Sequence, residues 1–332
     1  MYFCSVIESS KDIFNIHSNE SFAAHALAVF KFQAQNCSVY KEYIQHLKVD
    51  VDQVLSVEQI PFLPISFFKT HCILSTNAPV EVIFSSSGTT GMVTSSHHVI
   101  DAKIYEQSYL QAFSAFYGSV TDYCFLALLP SYQQRAGSSL IYMVNDLIEK
   151  SQHPQSGYFL YNHDDLFETL NDLKAKKQKT VLIGVTYALL DFIEQYDIDF
   201  QELIVMETGG MKGKRKEMVR EELHGLLTAG FGVPAIHSEY GMTELLSQAY
   251  SLGDGVFNCP KWMKILIRDT NDPLSLIANG KTGGINVIDL ANINSCSFIA
   301  TQDLGRINKD GSFEVLGRFD NADIRGCNLL VQ

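Results

Sequence analysis

Three short segments carry residue types suited to holding phosphate and a flat ring. Ser85-Ser86-Ser87-Gly88-Thr89-Thr90-Gly91 directly follows an apolar stretch that ends at Phe84. Its two glycines let the backbone curl so that N–H groups converge on an anion, and the flanking hydroxyls add donors for phosphate oxygens. No Gly-Lys-Ser/Thr ends the run, so it is not the Walker loop. Hydroxyl-rich turns are common in isolation; a strand leading straight into a run of only Ser, Thr and Gly is not, which favours phosphate. Glu207-Thr208-Gly209-Gly210 ends another apolar run. Glycines at the carboxyl end of a strand let a flat ligand lie against the backbone, where ligands sit in open α/β sheets. A turn leading into a helix explains this segment equally well. In Tyr240-Gly241-Met242-Thr243-Glu244 the ring suits stacking on a base, Thr243 suits a phosphate, and the Glu244 carboxylate suits Mg2+. Taken singly, Glu244 reads as a carboxylate at a helix N-terminus. His237, just upstream, is a candidate for gating the site or polarising a carboxylate, and equally a structural histidine.

The elements around these segments alternate in period. Apolar runs at Val80–Phe84, Cys124–Leu129, Val181–Ile183, Leu203–Met206 and Ala235–Ile236 read as buried strands. Amphipathic stretches lie between them: Asp101–Tyr117, a face of Leu140, Ile141, Val144, Leu147 and Ile148, then Asp164–Lys174, Thr186–Tyr196 and Lys212–Thr228. Such alternation implies βαβ units and a mostly parallel sheet flanked by helices, an α/β fold. After about Gly253 short strand-like pieces take over at Lys264–Arg268, Gly284–Ile288, Ser297–Ala300 and Phe313–Leu316. The expected division is an α/β core over residues 1–252 and a smaller β-rich subdomain over 253–332 that ends in an arm carrying Cys327.

The chain of 332 residues is 46% hydrophobic and 19% charged, enough to bury a core without a metal or disulfide staple. A net charge of −12 argues against a nucleic-acid partner, which needs a basic face. The seven cysteines are widely spaced with no CxxC pair, so reduced thiols are expected rather than a disulfide framework or a zinc site. Residues Met1 to Phe14 lack a basic start followed by a long apolar core, and no apolar run approaches the ~20 residues of a membrane span. A cytoplasmic protein is the expectation.

Ser-Ser-Ser-Gly-Thr-Thr-Gly, then Glu-Tyr-Gly-Met-Thr-Glu, then Thr-Gln-Asp-Leu-Gly with Asp303, then Gly-Arg-Phe-Asp with Arg318, in that order, resembles the adenylate-forming superfamily. More narrowly, Ile60–Lys69, Ser131–Val144 and the terminal Arg-Gly-Cys-Asn-Leu-Leu are similar to the acyl-protein synthetases of the bacterial luminescence fatty-acid reductase complex. The resemblance covers roughly Val57 to Gln332. It implies the large N-terminal-type domain of the superfamily, ATP and Mg2+ as cofactors, and a carboxylic acid, foremost a fatty acid, as substrate. Ser85–Gly91 would embrace the triphosphate, and Gly209, Gly210 and Tyr240, with Gly241 beside it, would hold adenine. Thr243 and Glu244 would contact phosphate and Mg2+. Asp303 would accept from the ribose hydroxyls beside Arg318, and Cys327 would match the thiol that the narrower family acylates. Gly-Arg-Phe-Asp-Asn-Ala-Asp-Ile-Arg-Gly is one residue shorter than the usual hinge motif, and the lysine-bearing C-terminal lid is expected to be absent.

A thiol near the end of the chain suits such chemistry. Adenylation supplies a good leaving group, and a thiolate captures the acyl group as a thioester that stays activated. Arg325 would favour the thiolate, and a terminal arm would let it visit a partner such as an acyl reductase. Two other readings stand beside this one: an acid:CoA ligase or aryl-acid adenylating enzyme working without a lid, and a non-catalytic nucleotide-binding scaffold. Trp262 and the phenylalanine-rich pieces at Phe62–Phe68 and Phe113–Phe116 read as core rather than as an acyl pocket.

Overall fold

The computed structural model describes residues 12–86, 94–129, 137–209, 215 and 218–319. Helices α1 (Asn19–Asn36) and α2 (Ser38–His46) open the described chain, with the Ser18 hydroxyl capping α1 by accepting from the Ser21 N–H at 3.1 Å. The short strand β1 (Leu63–Pro64) and the single turn α3 (Phe67–Thr70) follow, then the hairpin of β2 (Val82–Ser85) and β3 (Ser96–Val99). Next come α4 (Ala102–Tyr117), β4 (Cys124–Leu128), α5 (Ser139–Ser151), β5 (Gly157–Tyr158), α6 (His163–Ala175), β6 (Thr180–Val185) and α7 (Thr186–Ile193). They are followed by β7 (Ile204–Thr208), α8 (Arg220–Phe231) and β8 (His237–Tyr240). The rest is strand: β9 (Ala249–Ser251), β10 (Val256–Asn258), β11 (Met263–Arg268), β12 (Gly283–Asp289), β13 (Phe298–Ile307) and β14 (Phe313–Arg318).

Among the described residues twelve strands form one sheet, in the order β11-β12-β13-β14-β10-β9-β8-β7-β6-β4-β5, with β1 added beside β13. Strands β5, β4, β6, β7 and β8 run parallel, and from β8 onward the neighbours along that order are antiparallel. The parallel part is covered on both faces, which is why every residue of β4 and β6 is buried and why both read as continuous apolar runs. Close helix–strand packing needs Gly184: a Cβ there would stand 2.7 Å from Leu189 Cδ2 of α7. The result is the expected α/β architecture, with the antiparallel strands joined to the parallel ones edge to edge.

Two expectations shift. The run Val80–Phe84 was expected inside the parallel sheet. Instead β2 pairs antiparallel with β3 alone, so that only Phe84 of the strand is buried and Ile83 is 45% exposed. The strand expected at Ala235–Ile236 forms at His237–Tyr240, where Met206 pairs with His237 and Glu207 with Ser238. Helix α8 begins at Arg220, with Glu221 and Glu222 in its first turn against the helix dipole, and ends at Gly232 in the left-handed region.

Candidate active site

The carboxyl ends of β7 and β8, the start of β3 and the facing edge of β13 and β14 converge on one region. Cross-strand register sets Asp303 of β13 opposite Arg318 of β14, and Arg318 Nε lies 3.1 Å from Asp303 Oδ1. The Tyr240 hydroxyl at the end of β8 donates to Asp303 Oδ2 at 2.8 Å, across 63 residues of sequence. The Tyr240 ring is 8% exposed and packs edge-on against Phe257 and Phe313 at 6.0 and 5.6 Å. Burial and the neighbouring Asp303 push the Tyr240 phenol well above its ordinary range, so it remains a donor. Three residues that the sequence separates are thus joined in one chain of polar contacts.

Gly241 to Leu246 leaves the sheet, and buried side chains take over its backbone partners. His97 Nδ1 lies 3.0 Å from the Thr243 carbonyl, and its Nε2 lies 2.9 Å from Ser295 Oγ. Burial pushes His97 down to about 4, so the ring is neutral. A carbonyl only accepts, so Nδ1 carries the proton and Nε2 accepts from the Ser295 hydroxyl. Asn292 Nδ2 donates to the Glu244 carbonyl at 2.8 Å, and the Leu246 N–H donates to Asp289 Oδ2 at 2.8 Å. Asp289 also accepts from Ser247 Oγ and the Ala291 N–H, yet burial still pushes it up to about 6.

Glu244 itself is 5% exposed. Burial raises its carboxyl above the ordinary range, opposed by the Ser95 hydroxyl, its own N–H and the positive fields of Arg318 and Lys69. Ser95 in turn clamps the hydroxyl-rich segment: its N–H donates to Ser86 Oγ at 2.8 Å, and its carbonyl accepts from the Ser86 N–H at 3.0 Å. Ser85 N–H donates to the Gly137 carbonyl at 2.7 Å. The clamp brings the foot of the hydroxyl-rich segment against Glu244. Ser87, Gly88, Thr89, Thr90, Gly91, Gly210, Arg325 and Cys327 lie outside the described residues.

Gly209, directly after β7, has φ +71°, the left-handed turn that glycine permits. One residue earlier the Thr208 hydroxyl donates to Glu239 Oε2 at 2.9 Å, tying the ends of β7 and β8 together. Burial pushes Glu239 up to about 7, with the Thr208 hydroxyl opposing and the Glu207 charge adding. Its other oxygen packs over Gly241, where a Cβ would collide with it. His237 faces α4, with Nδ1 3.2 Å from the Tyr117 hydroxyl, and burial lowers its basicity. Strand alternation therefore puts His237 and Glu239 on one face of β8 and Tyr240 on the other. Arg215, the one described residue between Gly209 and Met218, is bound to Asp191 and Glu194.

Ser95, His97, Glu239, Asp289 and Asn292 were not singled out in the sequence. Glu239 stood at the head of Glu-Tyr-Gly-Met-Thr-Glu without a role, and Ser95 and His97 carried a local signal as polar residues in Ser-Ser-His-His just after the glycine-rich run. Among the described residues no group of three or more His, Cys, Asp or Glu could hold a metal ion, and no helix is long and apolar enough to cross a membrane.

A family model described as acyl-protein synthetase, LuxE, matches residues 10–332. The long-chain-fatty-acid–luciferin-component ligase of Photorhabdus luminescens is 37% identical over 67 residues, covering 20% of this chain and 57% of that protein. ATP-bound MatB from Rhodopseudomonas palustris superposes with a TM-score of 0.53 at 19% identity, over 74% of this chain and 49% of MatB. A 2-hydroxyisobutyryl-CoA ligase in its postadenylation state with 2-HIB-AMP superposes with a TM-score of 0.66 at 11% identity, over 95% of this chain and 69% of that one. The chain thus spans 57% of the curated relative and 49% of MatB. At such identities the superpositions establish the fold, that of adenylate-forming enzymes. The family match runs over nearly the whole chain and through every segment of the site: the chain belongs to the acyl-protein synthetase, LuxE, family.

Proposed function

We propose that this chain is an ATP-dependent acyl-protein synthetase that converts a carboxylic acid, foremost a fatty acid, into acyl-AMP and transfers the acyl group to Cys327. The observation that carries the proposal is the joined cluster of Tyr240, Asp303 and Arg318 beside the buried Glu244, whose carboxyl feels the Arg318 charge. Asp303, aligned by Tyr240 and Arg318, accepts from the ribose hydroxyls. The Ser85–Gly91 segment, with its foot clamped by Ser95, receives the triphosphate. Glu244 would hold Mg2+: its described partners, the Ser95 hydroxyl and its own N–H, leave acceptor capacity on a hard oxygen ligand. The ion, when bound, neutralises charge on the phosphate oxygens.

The acid's carboxylate oxygen attacks the α-phosphorus, the O–P bond forms, and pyrophosphate leaves with the electron pair of the broken P–O bond. The Cys327 thiolate then attacks the acyl carbon, and AMP leaves with its electrons. A partner such as an acyl reductase would accept the acyl group. Reduced thiols in the cytoplasm fit this role, and the cysteines among the described residues, Cys37, Cys72, Cys124, Cys259 and Cys296, are free.

Intact-mass measurement after incubation with ATP, Mg2+ and a panel of aliphatic and aryl acids tests the proposal. The expected product is one acyl mass that hydroxylamine removes. Cys327→Ser should keep acid-dependent exchange of pyrophosphate into ATP and lose the stable acyl mass, because a serine hydroxyl is barely ionised at neutral pH. A folded protein that supports exchange with no acid would overturn adenylation. A Cys327→Ser protein that still gains a hydroxylamine-labile mass would move the acceptor to another thiol.

A further inference from the structure

Among the described residues Arg268, Arg318 and Lys69 reach the cluster electrostatically. Arg268, whose field reaches Asp303 and Tyr240, spends its guanidinium on the Ile285 carbonyl at 2.7 Å, on Asn286 Oδ1 at 2.9 Å and on the Thr301 carbonyl. Arg318 holds Asp303. Lys69 differs: among the described residues its ammonium has neither an ion pair nor a hydrogen bond, while its charge reaches Glu244.

The position of Lys69 is fixed rather than incidental. β1 runs parallel to β13, pairing Leu63 with Ile299 and Pro64 with Ala300, and the Ile65 N–H donates to the Ala300 carbonyl at 2.9 Å. The same strand β13 carries Asp303 a few residues further on. The next turn, α3, buries Phe68, whose ring stands edge-on to His97 at 5.4 Å, and His97 is the residue that holds the Thr243 carbonyl. Lys69, the next residue, is half-buried. Two independent anchors, one to the strand of Asp303 and one to the support of Thr243, therefore hold Lys69, whose ammonium has no partner among the described residues, on the side of the cluster where its charge reaches Glu244.

We propose that Lys69 is a catalytic residue that contacts the phosphate groups of ATP beside Glu244. The proposal rests on the adenylation reaction above and adds the residue that neutralises its charge. As the acid's oxygen bonds to the α-phosphorus and the bond to pyrophosphate breaks, negative charge grows on the non-bridging and leaving oxygens, and the Lys69 ammonium donates to them without giving up its proton. Preorganised donors of this kind are worth roughly 10²–10³ in rate. Arg318 lies on the ribose side through Asp303, so the two cations divide the nucleotide between them.

The test uses the full chain with Lys69→Met and Lys69→Arg, comparing affinity for ATP and for adenosine by calorimetry, and acid-dependent pyrophosphate exchange. Lys69→Met should weaken ATP binding about tenfold, leave adenosine binding unchanged, and lower the exchange rate on the order of 100-fold. Lys69→Arg should recover most of the ATP affinity. A Lys69→Met protein with wild-type ATP affinity and exchange would overturn the proposal. So would equal loss of ATP and adenosine binding with a lowered melting temperature, which is what a merely structural lysine would give. If the wild type binds ATP but no acid supports exchange, the adenylation reading falls while the comparison of ATP with adenosine still decides whether Lys69 meets phosphate.

Discussion

Replacing Tyr240 by Phe removes one oxygen and leaves the ring on Phe257 and Phe313, so it isolates the hydroxyl's bond to Asp303. Asp303 is 7% exposed, and its other described side-chain partner, Arg318, belongs to a side chain 71% exposed to water. An ion pair to so exposed a side chain contributes little, ~0–1 kcal/mol. The Tyr240 hydroxyl is therefore the principal buried donor, and losing a hydrogen bond to a charged group costs about 1.5–3 kcal/mol. For a chain of 332 residues the unfolding entropy is about 0.7 kcal/mol per K, so the melting temperature should fall by about 2–4 °C. With Asp303 less firmly aimed, the KM for ATP in pyrophosphate exchange should rise about tenfold, while the rate at saturating ATP changes less. Tyr240→Ala should cost more, about 3–5 kcal/mol, because the packing of the ring is lost as well. Calorimetry and exchange kinetics on both variants, with Asp303→Asn to close a double-mutant cycle, measure these effects. If Tyr240→Phe melts with the wild type and its effect adds to that of Asp303→Asn, the two residues do not act as a unit and the reasoning fails.

Glu244→Gln should lower exchange by about 10²–10³ with the fold retained, because the carboxylate proposed to hold Mg2+ is gone. Unchanged dependence on Mg2+ concentration in that variant would count against the metal role. The wild type should lose activity on acidification at a higher pH than an ordinary glutamate dictates, since the raised Glu244 must stay ionised; an activity profile checks this. Stability has its own pH signature. Glu239 and Asp289 titrate in the folded state near 7 and 6, above their unfolded values, so the native state binds extra protons and gains stability as pH falls from about 8 to 6. His97, lowered to about 4, works the other way below about 6.5, where the unfolded chain takes up the proton. Two raised carboxylates outweigh one lowered imidazole, so the melting temperature should rise as pH falls from 8 to 6, and Glu239→Gln should flatten that rise; a wild type that melts highest at pH 8 would contradict this.

The residue types suited to chemistry were legible because that suitability is local. A strand followed by hydroxyls and glycines, or Tyr-Gly-Met-Thr-Glu after a short strand, suggests a use within a few residues, and apolar runs such as 124–129 and 181–183 announce strands buried on both faces. The partners were not legible. Tyr240 meets Asp303 across 63 residues, His97 meets Thr243 across 146, and Asn292 meets Glu244 across 48. No periodicity encodes such pairs, because they follow from which strands lie side by side and in what register. The run at Val80–Phe84 illustrates this: its composition is that of a buried strand, but pairing with β3 alone leaves Ile83 in solvent. Lys69 shows the same division, since its charge reaches Glu244 only because β1 lies along the strand that carries Asp303 and Phe68 packs on His97. Side-chain chemistry is a property of the chain, whereas a buried charge acquires its neighbours, and with them its function, only when distant strands close around it.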